Sequence, residues 1–450
     1  MGTLIMIGQV LLSLSILVVL HEWGHFYAAR TFNTKVEKFY LFFNPGFSLF
    51  KKQIGETEYG IGWLPLGGYV KIAGMIDESF DTEQMEGPAQ PWEFRAKPAW
   101  QRLIIMLGGV IVNFILGFFI YAIIMWYYGE SYLPAENVPH GIHIVDSVAY
   151  EMNLENGDKI YKIGEVPFDK FDSRAVTREV VLNDVRTISL ERNGEQMTVN
   201  VPDEVVPKLS SYGRSDLFIP RITVEVDSLE VGGNAEQGGM MVGDKIISVN
   251  GQPAQYWDQF QEIKKQIASS VVDLVVLRND SYDSLQVATN DEGRMGFIAR
   301  NTLADLKTEK IEYGFFESFP VGIKKGLGFL GTQLKAFGQM GKGNVDVKES
   351  VGGPIAIASL FGKEWDWSRF WGMTAMLSLI LAFMNLLPIP ALDGGHVMFL
   401  LWEIITGRKP SDKFLEYATL AGFVILMALM VFIFGNDIRR LISGMIYGLF

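Results

Sequence analysis

Four stretches of this chain are apolar for longer than a globular core requires. Thr3 to Leu20, Leu103 to Gly129, Phe370 to Leu392 and Tyr417 to Asn436 contain no Asp, Glu, Lys or Arg. A bilayer core of about 30 Å needs about 20 helical residues, so each stretch predicts a membrane-crossing helix. Between the second and third, the pattern changes. Residues 234–253, NAEQGGMMVGDKIISVNGQP, read as a short helix, a Gly-Asp turn, an alternating strand and an Asn-Gly hairpin turn. Residues 58–74, EYGIGWLPLGGYVKIAG, have the aromatic, β-branched and glycine content of a β-hairpin. Residues 315–340 set Phe and Leu on one side and Lys324, Lys325 and Lys335 among the polar positions, the pattern of an interfacial helix.

Loop charge orients the spans, because Lys and Arg are retained on the cytoplasmic side. No Lys or Arg precedes the first span, and Arg30, Lys35 and Lys38 follow it. Arg95, Lys97 and Arg102 precede the second span, while residues 131–150 have no Lys or Arg. The N-terminus and the long middle section are therefore expected outside, with residues 30–100 inside. The first span lacks the basic start and small-residue cleavage site of a signal peptide and is expected to stay as a helix.

Composition narrows the partners. A net charge of −12 offers no basic face for nucleic acid. The absence of cysteine removes disulfides, Cys-zinc sites and thiol nucleophiles together.

The middle section repeats itself. Gly157-Asp158-Lys159-Ile160 recurs as Gly243-Asp244-Lys245-Ile246, and Ala149 matches Ala235 and Pro167 matches Pro253 at the same offset. That is the mark of a duplicated domain. The order of elements resembles bacterial PDZ domains, which bind extended peptide by strand addition. The fold class is thus a multi-pass α-helical membrane protein with four transmembrane helices and an inserted tandem of PDZ-like α+β domains. Its parts are residues 1–30 (first span), 31–101 (inner-side hairpin region), 102–129 (second span), 131–226 and 227–310 (the two copies), 311–350 (interfacial helix), 369–405 (third span) and 414–436 (fourth span).

The chemistry begins where the first span ends, at LVVLHEWGHF, residues 17–26. On a helix, residues four apart share a face, so His21 and His25 can both turn a ring nitrogen to one metal ion, with Glu22 in reach of a water on it. A catalytic zinc takes three protein ligands and keeps a fourth position open. His140 and His143, beyond the far end of the second span, suit a loop or strand. NLLPIPALDGGH, residues 385–396, is the remaining region: Pro388 and Pro390 break the helix there, and Asp393 offers an anionic oxygen. His21 lies about 27 Å along the first span, and both half-sites fall near the inner edge of the membrane.

His-Glu-x-x-His in a first span and Asn-x-x-Pro-x-Pro-x-Leu-Asp-Gly in a later one resemble the site-2 protease family of intramembrane zinc metalloproteases. The tandem insert, FRAKPAWQR at 94–102, Asn113-Phe114 and Gly353-Pro354 resemble its regulator of sigma-E protease branch. Val110 stands where that family commonly has proline. The resemblance implies that His21, His25 and Asp393 ligate Zn2+, that Glu22 is the general base, and that Asn385 holds the substrate backbone or its oxyanion. It further implies a protease of the bacterial inner membrane, a monomer surrounded by lipid, cutting transmembrane segments of single-span substrates such as anti-sigma factors after a first outer cut, or remnant signal peptides. The loop around 58–74 is expected to enter the membrane and pair with unwound substrate. The alternative is a membrane-tethered PDZ receptor with a vestigial protease site. A metal transporter would instead spread ionisable groups along the spans.

Overall fold

The stretch His21-Glu22-Trp23-Gly24-His25 contains no proline, so nothing ends the helix where the apolar run stops. In a computed structural model, which describes residues 1–65, 67–75, 87–210, 216–343, 345, 347–350 and 352–446, helix α1 (Gly2–Thr31) carries the motif in its last third. It ends before Asn33, whose φ of 51° is left-handed. The other long helices are α2 (Ala99–Tyr127), α3 (Phe315–Gly341), α4 (Trp367–Leu386), α5 (Asp393–Thr406) and α6 (Asp412–Ile446). Of these, α1, α2, α4 and residues 413–440 of α6 are long and apolar enough to cross a membrane.

The chain forms two units: residues 1–129, 312–334 and 351–450, and residues 130–311 with 335–350. In the first, α1 and α2 cross backbone to backbone at Gly24 and Gly108, where a Cβ on either would run into the other's carbonyl. Small residues let apolar helices approach this closely where no hydrophobic force drives them together. Buried polar side chains tie the bundle: Ser13 Oγ meets Thr374 Oγ1 at 2.9 Å, and Ser378 Oγ donates to the Asn113 carbonyl at 2.7 Å. Asp437 of α6 accepts the Gly353 and Ile355 N–H groups, fixing the Gly353-Pro354 turn. The first half of α3 lies on α2, with Gly322 against the Ala122 backbone.

The third segment, 369–405, holds two helices with the expected break at the prolines between them. Helix α4 stops at Leu386 and α5 starts at Asp393, with Pro388 and Pro390 between. Gly395 packs on the Ile389 and Pro390 backbone, so the chain folds back tightly at the break.

Between α1 and α2 lies a sheet of β1 (Val36–Leu41), β2 (Phe50–Ile54), β3 (Thr57–Ile61) and β4 (Tyr69–Ile72), in the order β2-β3-β1-β4. The expected hairpin over 58–74 is not there. Strands β3 and β4 lie on opposite sides of β1, parallel and antiparallel to it, and the hairpin is β2–β3. The connection between them, in which Leu66 falls outside the described residues, crosses the end of β1. Gly62 sits on the Phe42 and Phe43 carbonyls and Gly68 on the Tyr40 carbonyl, positions too close for any Cβ.

In the second unit, β5 (Glu130–Tyr132) pairs with β18 (Glu309–Ile311), so the chain enters and leaves side by side. Between them are two modules. The first holds β6 (Ile142–Ile144), β7 (Lys159–Ile163), β8 (Val166–Pro167), β9 (Thr187–Arg192), β10 (Glu195–Asn200) and β11 (Phe218–Pro220). The second holds β12 (Val226–Leu229), β13 (Lys245–Val249), β14 (Gln252–Pro253), β15 (Val271–Arg278), β16 (Ser281–Ala288) and β17 (Phe297–Ala299). Sheets β10-β9-β7-β8 and β16-β15-β13-β14 have one topology, and β6–β11 matches β12–β17. The repeat extends to buried ion pairs: Asp158 with Arg192, and Asp244 with Arg278. In each, the arginine also reaches a carbonyl of the preceding turn, Asn153 or Gly239. One core runs to Phe218 and includes Val345, and the next starts at Val224.

Candidate metal centre

The site lies within the first unit, where α1, α2, α4 and α5 meet. Helical spacing puts His21 and His25 one turn apart on the buried side of α1, and the proline break brings Asp393 to them from the first turn of α5. Their Nε2 atoms are 3.2 Å apart, and Asp393 Oδ2 is 3.3 Å from one and 3.4 Å from the other. Both histidines are buried, at 7% and 6% exposure.

Gly109 of α2 makes this packing possible. A Cβ there would stand 2.6 Å from His21 Cε1 and closer still to His25 Nε2. The Ile105 carbonyl, one turn earlier, lies 2.8 Å from His25 Nδ1. A carbonyl only accepts, so His25 carries a proton on Nδ1, and Nε2 is the ring nitrogen turned to the cluster. Two amides flank His21: Asn113 Nδ2 is 3.2 Å from Nδ1, and Asn385 Nδ2 is 3.2 Å from Nε2. Glu22 faces β4, where the Val70 N–H donates to its carboxylate.

The donor set fits a tetrahedral metal. Ligands about 2.1 Å from an ion at the tetrahedral angle are about 3.4 Å from one another, and the three edges here are 3.2, 3.3 and 3.4 Å. Asp393 Oδ2 is buried without a hydrogen-bond partner, which an ion would supply. His21, His25 and Asp393 can therefore hold a metal ion.

Of the candidates from the sequence, His21, Glu22, His25, Asp393 and Asn385 come together. His143 is in β6 and His140 lies beside Tyr256, both in the other unit. His396, three residues past Asp393, faces a small cavity with Arg102 and Glu403. Gly109 had no signal in the sequence beyond being a glycine in a span. Asn113 stood out only as a family match, although a lone amide in an apolar helix is itself a sign of a polar partner.

A His-Glu-x-x-His helix facing an aspartate, in a chain with four span-length apolar helices, defines a membrane metallopeptidase. The model of peptidase family M50 matches residues 9–429, and the chain belongs to that family. It is similar to the regulator of sigma E protease of Haemophilus influenzae, 28% identical over 97% of this chain and 99% of that one. It is also similar to the regulator of sigma-E protease RseP of Escherichia coli, 27% identical over 97% and 98%. A Vibrio cholerae protein with the provisional name zinc metalloprotease is 29% identical over 96% and 98%.

Proposed function

We propose that this chain is a site-2 type intramembrane zinc endopeptidase, with His21, His25 and Asp393 as ligands, Glu22 as general base and Asn385 as a substrate-binding donor. The observation that carries it is the triangle of donor atoms with tetrahedral edges beside the Glu22 carboxylate. Names of the relatives support zinc as the metal and regulated proteolysis as the setting.

When bound, zinc supplies Lewis acidity to water and to the scissile carbonyl. Glu22 accepts the proton of the attacking water and returns it to the leaving nitrogen. The Asn385 amide donates to the oxygen on which charge develops. A transmembrane helix must open before it is cut, since its carbonyls are already hydrogen-bonded and shielded. Strand β4 offers the opened segment a partner: among the described residues it pairs with β1 alone, and Gly68 just before it and Val70 within it adjoin Val18 and Glu22. A segment added to that edge lies along the base.

The substrates are transmembrane segments of single-span proteins, such as anti-sigma factors after a first outer cut, or remnant signal peptides. The enzyme belongs to the bacterial inner membrane, with residues 130–311 as two PDZ-like modules on the outer side. These modules filter substrates by size and contribute no catalytic group. Comparing membrane-peptide profiles of cells carrying the wild-type chain and Glu22→Gln tests the proposal. Transmembrane fragments that accumulate only in the variant support it, and identical profiles refute it.

A further inference from the structure

Asn113 is fully buried on α2, one turn beyond Gly109. His25 holds its proton on Nδ1 against the Ile105 carbonyl. His21 turns its own Nε2 to the same cluster, so its proton too belongs on Nδ1 when Nε2 ligates. What stands there is the Asn113 side chain. With the amide nitrogen at that end, two donors face each other, and Asn113 Oδ1 is buried without a partner. A half-turn of the amide exchanges its two ends and turns the clash into a hydrogen bond. The end facing the ring therefore decides which way the amide sits.

We propose that Asn113 Oδ1 accepts the His21 Nδ1–H, which makes Asn113 a positioning residue that sets the tautomer and tilt of His21 and strengthens its hold on a divalent metal. Ser378 Oγ donates to the backbone carbonyl of Asn113, so α4 braces the turn of α2 that carries the amide. The two histidines are then oriented by two acceptors from one helix, a backbone carbonyl and a side-chain amide. The inference rests on His21 being a ligand, as proposed above.

Its test is zinc affinity by chelator competition in the purified full-length protein, with Co2+ absorption as a second readout of ligand geometry. Asn113→Leu keeps the branching at Cγ, at a larger volume, and removes the acceptor; removal of such an outer partner weakens metal binding by about 10–100-fold. Asn113→Asp keeps an acceptor and should retain most of the affinity and the Co2+ spectrum. Wild-type affinity in Asn113→Leu overturns the proposal, and so does an Asn113→Asp affinity as low as that of the leucine variant, which indicates a need for the donor end or for the amide's shape. His21→Ala separates the two levels. If it binds metal like the wild type, the ligand assignment fails and this inference with it; if it loses metal while Asn113→Leu does not, the inference alone fails.

Discussion

Substituting Gly109 by alanine adds one methyl group and should disable the enzyme. The added Cβ would stand 2.6 Å from His21 Cε1 and 2.7 Å from His21 Nδ1, against 3.4–4 Å for ordinary contact. The His21 ring must therefore retreat by about 0.8 Å, several times the tolerance of about 0.2 Å on a metal–ligand distance. Misplacement of a reacting group by 1 Å costs about 100-fold in rate. Helix propensity works in the opposite direction, since alanine in place of a mid-helix glycine favours the helix by about 1 kcal/mol. Lost activity would therefore not come from a weaker α2. The assay is zinc content by mass spectrometry together with cleavage of a transmembrane substrate in liposomes. Gly8→Ala is the control, because nothing lies within 4 Å of a Cβ there. We expect Gly109→Ala to lose bound zinc and about 100-fold in rate, with Gly8→Ala unchanged. Full zinc content and near-normal cleavage in Gly109→Ala would refute the close approach of α2 to the histidines.

Three further predictions concern other levels of the structure. Asp393→Ala should lower zinc content as well as activity, because it removes a ligand and leaves Glu22 in place; full zinc occupancy in the purified variant would sink that assignment. In the second module, burial acts to raise the Asp244 carboxyl, but its hydrogen bonds with Arg278 and the Met241 N–H prevail and hold it below its ordinary 3.8. A lowered folded-state value means that this stabilisation is present above the ordinary value and is lost as the pH falls through the folded one. Arg278→Ala leaves the buried carboxylate unpaired at a cost of about 3–5 kcal/mol; hydrogen exchange in β13 and β15 at neutral pH should rise sharply, and unchanged protection would contradict the pair's role. Because β5 and β18 are paired, residues 131–310 can be replaced by a short linker. Such a deletion should still cut a trimmed substrate and begin to cut an untrimmed one, whereas loss of trimmed-substrate cleavage in a zinc-loaded deletion argues for peptide recognition instead.

The features legible in the sequence are those fixed by a short-range period. The four-residue spacing of His21 and His25 on a helix needs no tertiary information, and two prolines mark the break before Asp393. The constant offset between Gly157-Asp158 and Gly243-Asp244 carried through to the arginines, Arg192 and Arg278, because one topology was used twice. The sheet was not legible. Strand signals at 58–61 and 69–72 invite a local hairpin, while the partner of both is β1, a choice made by the crossing at Gly62 and Gly68. Gly109 and Asn113 were opaque for a similar reason: their meaning lies in what another helix places against them.

A zinc centre built on His21, His25 and Asp393, with Glu22 as base, is proposed to cut a peptide bond inside a transmembrane segment. Purified protein in liposomes with a single-span substrate, followed by mass-spectrometric mapping of the products, tests it directly. One or more cuts are expected within the apolar segment, abolished by zinc removal, restored by zinc, and abolished in Glu22→Gln with its zinc retained. Cleavage only outside the segment, or at an undiminished rate in zinc-loaded Glu22→Gln, would contradict it.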